Sequence, residues 1–300
     1  MILRAVAAIT GLPVCRPGWR LLTGSEASQA RGGRDRVKLA HQLVPDAMTY
    51  CIGYWLENGL VLASDSRTNA GVDYISTYSK MHLFQPAPDR LFVLLAAGSL
   101  ATTQAVINWI RRDLDRPGEL ELGAARDLRH CDYFFEAAAY VGRVSVAVQS
   151  ESEPMLRKAG ASGAASFILA GQIGSEPHGL YLIYPQGNAI MATPETPFLQ
   201  IGESKYGKPP LDNIGRTNLS LEDAAQLCLV SQVLTQRSNL SVGPPFELAL
   251  IQAGSLTIGH QLKIEADDPV LSSVIEIWSE AQREALYRLP RLPWERLAES

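Results

Sequence analysis

The sequence predicts an α+β fold in which antiparallel sheets carry helices on their faces. Three observations predict it. Strands come in consecutive blocks, short turns join them into hairpins, and long helical stripes separate the blocks rather than alternating with single strands.

The first hairpin begins at Thr49. Tyr50, Ile52, Tyr54 and Leu56 alternate with their neighbours, Asn58-Gly59 is a strong two-residue turn signal, and Leu60 to Ser66 returns. With Asn58 and Gly59 as the turn, Thr49 falls opposite Thr68 and Ile52 opposite Asp65, so Asp65 and Arg67 come back beside the start of the first strand. Lys80 to Gln85 and Arg90 to Gly98 form a second pair across Pro86 to Asp89. Ser99 is an N-cap for a helix whose stripe is Ala101, Ala105, Val106, Trp109, Ile110 and Leu114, with Pro117-Gly118 as the stop. Within it, "IRRDLDR" reads as a solvated helix end. A second helix is expected over Asp132 to Gln149. Strands return at Ser166 to Ile173 and Gly179 to Pro185, and Gln186 to Asn188 turns the chain into "AIMAT". "IGESKYGKPPLDN" reads as a loop leading to a helix from Ser220 to Ser238. "FELALIQAG" and "LTIGHQLKI" make a late hairpin, and a last helix covers Pro269 to Leu289 before a Pro-punctuated tail.

Residues 1–47 have a different texture, rich in Gly, Arg, Ser and Pro without a sustained period. They are expected to be a disordered extension, or upstream sequence preceding a start at Met48, with 48–300 as the folded domain. The two parts differ in charge: net +4 over residues 1–47, net −8 over the rest. An acidic body argues against a nucleic-acid partner, because phosphate neutralisation needs a basic face. No apolar run reaches the roughly 18 residues of a membrane span, and Arg4 interrupts the only short apolar opening. Cys15, Cys51, Cys131 and Cys228 are scattered without a CxxC pair or nearby histidines, which argues against zinc and disulfides and for a reducing, cytoplasmic setting.

If Met48 is removed, Thr49 carries a hydroxyl and a primary amine on one residue. A hydroxyl is a weak nucleophile that needs a base, and an α-amine with an ordinary pKa of about 7.7–8.0 is available near neutral pH. Lys80 is the candidate cation to lower that pKa and steady a developing alkoxide. Asp65 is the carboxylate to hold Lys80, and Gly98, at a strand-to-helix junction, offers an N–H to an oxyanion. Cys51 shares the strand face of Thr49 and is read as a buried thiol rather than a rival nucleophile. His82 is read as structural.

Thr49, the "ASDSR" that places Asp65, "SKMHLF" with Lys80, and "AAGSLATTQ" opening a helix together resemble the N-terminal-nucleophile (Ntn) hydrolases of the proteasome β-subunit type. "MTYC", "SDSRTNAG" and "SNLSVGPP" are similar to the Anbu branch, the bacterial proteasome-like proteins. The resemblance implies a four-layer αββα sandwich, a threonine peptidase or amide hydrolase, no metal or cofactor, a peptide or small amide as substrate, and a homo-oligomer of like subunits. It makes Thr49 the nucleophile, Asp65 and Lys80 its supporting pair, Gly98 the oxyanion donor, and Ser204 and Ser241 the serines that orient the amine. Ser238 stands where such peptidases carry an Asp. That departure keeps two further readings open: a small-amide or γ-glutamyl-type amidohydrolase, and an assembly scaffold with a vestigial site.

Overall fold

Strand β1 (Tyr50–Leu56) pairs antiparallel with β2 (Gly59–Asp65), and the pair closes at Leu56 and Gly59. The turn residues are therefore Glu57 and Asn58, not Asn58 and Gly59. Gly59 belongs to β2, where a Cβ would stand 2.1 Å from the Ile251 carbonyl oxygen. Its role is close approach to a neighbouring backbone, a use of glycine that a turn motif conceals. The register moves by two residues, so every side chain keeps its expected face while Asp65 comes opposite Tyr50 rather than Ile52.

The structure is a computed structural model and describes residues 49–69, 75–116 and 127–292. The expectations for residues 1–47, for Met48 and for the Pro117-Gly118 stop lie outside the described residues. Next come β3 (Arg67–Asn69) and β4 (Ile75–Thr77), a small two-stranded sheet that the sequence did not reveal. Then follow β5 (Met81–Ala87), β6 (Arg90–Gly98), α1 (Leu100–Asp115) and α2 (Phe134–Ala159). Helix α2 runs ten residues past its expected end. Pro154 lies inside it, and it stops at Gly160, whose left-handed φ of 68° gives a glycine C-cap.

Strands β7 (Ala165–Ile173), β8 (Gly179–Ile183), β9 (Ala189–Met191) and β10 (Phe198–Gly202) follow. The expected loop at "IGESKYGKPPLDN" is instead the end of β10 and a helix, α3 (Ser204–Ile214). Pro209 and Pro210 lie within α3, against their intrinsic preference. Burial of Gly207, Pro210 and Leu211 shows that tertiary packing overrides it. Helix α4 (Leu221–Ser238), strands β11 (Phe246–Gln252) and β12 (His260–Ile264), and helix α5 (Pro269–Tyr287) complete the described chain.

Two five-stranded antiparallel sheets have the orders β10-β1-β2-β11-β12 and β5-β6-β7-β8-β9. Three apolar clusters tie the elements together. One unites Leu60, Leu62, Ile201 and Ile251 of the first sheet with Leu91, Val93, Ile168 and Leu180 of the second. Another sets Val106 and Ile110 of α1 and Val141 and Val144 of α2 against β6 and β7. The third sets Leu227, Val233 and Leu271 of α4 and α5 against β1, β2 and β11. Most of this burial is aliphatic, at about 25 cal/mol per Å² removed from water. None of the described helices is long and apolar enough to cross a membrane.

Candidate active site

Thr49 precedes β1, and both faces of its neighbour hold it in place. The Tyr50 hydroxyl hydrogen-bonds Ser231 Oγ at 2.7 Å and accepts from Gln200, while Gln232 Nε2 donates to the Tyr50 carbonyl at 3.0 Å. The Thr49 carbonyl accepts the Glu203 N–H at 2.8 Å. Gly202, with φ of 83°, lets that approach happen, since a Cβ there would meet the Thr49 carbonyl oxygen at 1.8 Å. Gly202→Ala is therefore expected to cost on the order of 2 kcal/mol or more of stability and to displace Thr49. Thermal melts and peptide-hydrolysis rates of the variant check both effects.

The shifted hairpin register puts Asp65 beside Thr49. Asp65 is fully buried, and its Oδ1 accepts the Tyr50 N–H at 3.0 Å and Lys80 Nζ at 2.6 Å. Its Oδ2 accepts the Gly243 N–H at 3.3 Å. Lys80 Nζ also donates to the Arg67 carbonyl at 2.6 Å. Burial pushes the Asp65 carboxyl above the ordinary carboxylate value, and the Lys80 ammonium opposes that shift. Arg67 is not the partner of Asp65; its guanidinium donates to the Leu240 carbonyl at 2.8 Å. Behind the pair, Glu247 accepts from Ser66 Oγ at 3.3 Å and from Ser79 Oγ at 2.8 Å, bracing the residues that flank Asp65 and Lys80.

Thr49, Lys80 and Gly98 line one cavity of about 700 Å³. Gly98 ends β6 at φ of 109°, and a Cβ there would stand 2.3 Å from the Ala164 carbonyl oxygen. Ser99 caps α1, its side chain accepting from the Thr102 N–H. The junction therefore brings the first, unpaired N–H groups of a helix to the cavity wall.

Ser204 and Ser241 are not among the residues lining this cavity. Ser204 opens α3 directly after the Glu203 N–H that binds Thr49. Ser241 lies two residues before Gly243, and its N–H donates to Asn239 Oδ1 at 3.0 Å. Ser238 ends α4 and lines a separate cavity with Tyr206 and Trp278. Cys51 is fully buried, and its thiol is pushed far up by burial, with Asp65 adding to the effect, so it stays protonated.

The sequence reading missed Gly202, Gly243 and the Arg67 carbonyl, because these act through backbone atoms that leave no side-chain signature. "IRRDLDR", read as a solvated helix end, does expose Arg111, Asp115 and Arg116, with Arg111 also lining the cavity; of its charged residues Asp113 alone is buried, accepting from the Tyr140 hydroxyl at 2.8 Å. His82 lines the cavity as well, with its pKa lowered to about 4 by desolvation and by the Arg111 charge. It is therefore neutral near pH 7. Unfolded His82 binds a proton near 6.5 and folded His82 only near 4, so acidification through that window favours the unfolded chain. Stability is expected to rise from pH 4 to 6.5 and then level. Melts of His82→Gln over that range should show a smaller loss on acidification.

Solved structures share this architecture. Anbu (ancestral beta-subunit) from Yersinia bercovieri superposes at a TM-score of 0.72 with 39% identity, over 81% of this chain and 99% of that one. An Anbu (Gly-1) mutant from Hyphomicrobium sp. strain MC1 gives a TM-score of 0.74 and 39% identity over 81% and 99%. The helical assembly of the Anbu complex from Pseudomonas aeruginosa gives 0.74 and 42% over 82% and 98%. No protein-family model and no curated protein matches the chain. The fold is proteasome-like. Within that class, the chain belongs to the Anbu family.

Proposed function

We propose that this chain is a threonine-type Ntn hydrolase that cleaves peptide or amide bonds. Thr49 Oγ is the nucleophile and the Thr49 α-amine the base. One observation carries the reading: Thr49, Lys80 and Gly98 line one cavity, and Lys80 is held at 2.6 Å by a fully buried Asp65. The three core clusters support a four-layer αββα sandwich around that site.

In this reading the amine takes the Oγ proton as Oγ attacks the scissile carbonyl. The oxyanion is met by the Gly98 N–H, and the amine returns the proton to the leaving nitrogen, leaving an ester on Thr49. Water, deprotonated by the same amine, then hydrolyses the ester and restores Thr49. The Lys80 charge lowers the pKa of the amine, and Asp65 holds Lys80 in place at 2.6 Å. Ser204 and Ser241 orient the amine from the α3 and Gly243 sides. None of this works while Thr49 nitrogen is an amide, so residues 1–48 must be absent from the working enzyme.

The Pseudomonas neighbour is a helical assembly, and the exposed Ile277, Leu286 and Tyr287 of α5 support packing of like subunits in a homo-oligomer. Hydrolysis of tetrapeptide amides, casein and small or γ-glutamyl amides, each compared with the Thr49→Ala chain, tests the reaction. Thr49-dependent cleavage of the tetrapeptides is expected. Cleavage confined to small amides would make the chain an amidohydrolase on the same fold, and inertness toward all of them would leave a scaffold.

A further inference from the structure

We infer that the cavity beside Thr49 selects substrates carrying a carboxylate on the acyl side of the scissile amide, read by Arg111. The inference rests on Thr49 marking where that amide sits. Residues 48–300 carry net charge −8, yet among the described residues no Asp or Glu lines the cavity. Lys80 is already paired with Asp65 at 2.6 Å. Arg111 is different: among the described residues it has no carboxylate partner. A wall whose described residues hold a guanidinium without a carboxylate partner and no anion suits an anionic ligand, and the forked guanidinium suits a carboxylate.

The supporting groups are arranged along one helix face. Gln104, Asn108 and Arg111 stand on successive turns of α1 and all line the cavity. Side chains on a helix lean toward its N-terminus, so Arg111 reaches back toward Asn108 and the end that holds Gly98. His82, across the wall, feels the Arg111 charge and stays neutral, leaving Arg111 as the cation of that end. Helix α1 also presents its positive N-terminal pole to the site. The carboxylate can be an acidic side chain or the free α-carboxylate of a γ-linked glutamyl group. The shared chemistry is one carboxylate on the acyl side of the scissile amide.

The test reads binding without turnover. The Thr49→Ala chain, in its native assembly, is titrated with fluorophore-labelled peptides ending in Glu amide, Gln amide or Lys amide, and with a γ-glutamyl amide. The expected result is that one of the two acids binds about tenfold or more tighter than the Gln isostere, with the gap shrinking between 0.1 and 1 M salt. Whichever acid wins identifies the source of the carboxylate. Arg111→Glu should reverse the order of Glu and Lys, and its melting temperature should stay close to that of the parent because Arg111 is exposed. Neither acid binding tighter than Gln amide, a preference for the winning acid that Arg111→Glu leaves intact, or no binding by any of the ligands would overturn the inference. A Thr49→Ala chain that still cleaves peptides would instead overturn the nucleophile assignment and leave these binding results standing.

Discussion

Thr49→Ala is expected to lower peptide hydrolysis by about a thousandfold or more, with no large change in stability. The variant removes Oγ but keeps the amine, so the base has nothing to activate, and losses of this kind in nucleophile variants are large. The fold should tolerate it. Thr49 is held through its carbonyl to Glu203 N and through its neighbour Tyr50, and neither contact uses the Thr49 hydroxyl. Thr49→Ser keeps a hydroxyl on the same backbone and should retain much of the rate. Initial rates and melting temperatures of the three chains check this. A Thr49→Ala chain with undiminished turnover would remove Thr49 from the mechanism.

The second large effect concerns the buried ion pair. Lys80→Ala strands the Asp65 carboxylate, which is fully buried, and removing one partner of such a pair costs about 3–5 kcal/mol. At roughly 2–4 °C per kcal/mol for a domain of this size, the melting temperature should fall by about 10 °C. Activity should fall with it, because the Thr49 amine loses the charge that lowers its pKa. The combined Asp65→Leu, Lys80→Met chain separates the two roles. It no longer buries a lone charge, so part of the stability should return, though the Tyr50 and Gly243 N–H groups stay unpartnered. Activity should not return. Recovery of both would mean that the pair is structural only.

The parts of the site legible in the sequence are those whose chemistry lies in side chains and whose placement follows from local pairing. Asp65 was legible because a hairpin carries a carboxylate back to its own start, and Lys80 as the cation such a carboxylate would hold; the two stand 2.6 Å apart. The Gly98–Ser99 junction was found because a strand run meets an N-cap. Even there the register was two residues out, since Gly59 looked like a turn glycine while its constraint came from Ile251, nearly two hundred residues away. Long-range constraints account for the other misses. Pro209 and Pro210 argue locally against a helix, and α3 forms because Tyr50, Ser231 and Thr235 close around Gly207. Gly202 carries no chemistry of its own; its value is the space it leaves for the Thr49 carbonyl. Arg111 is exposed as its sequence context suggests, but α1 alone does not reveal that it also lines the cavity with His82 of β5.

The most direct test of the account is the amino terminus of the working enzyme. Peptide-hydrolysing material is isolated in its native assembly, and its intact mass and first peptide are measured by mass spectrometry. The account predicts that the chain begins at Thr49 with an unmodified primary amine. Active material in which Thr49 nitrogen is acylated, or still joined to Met48, would contradict it.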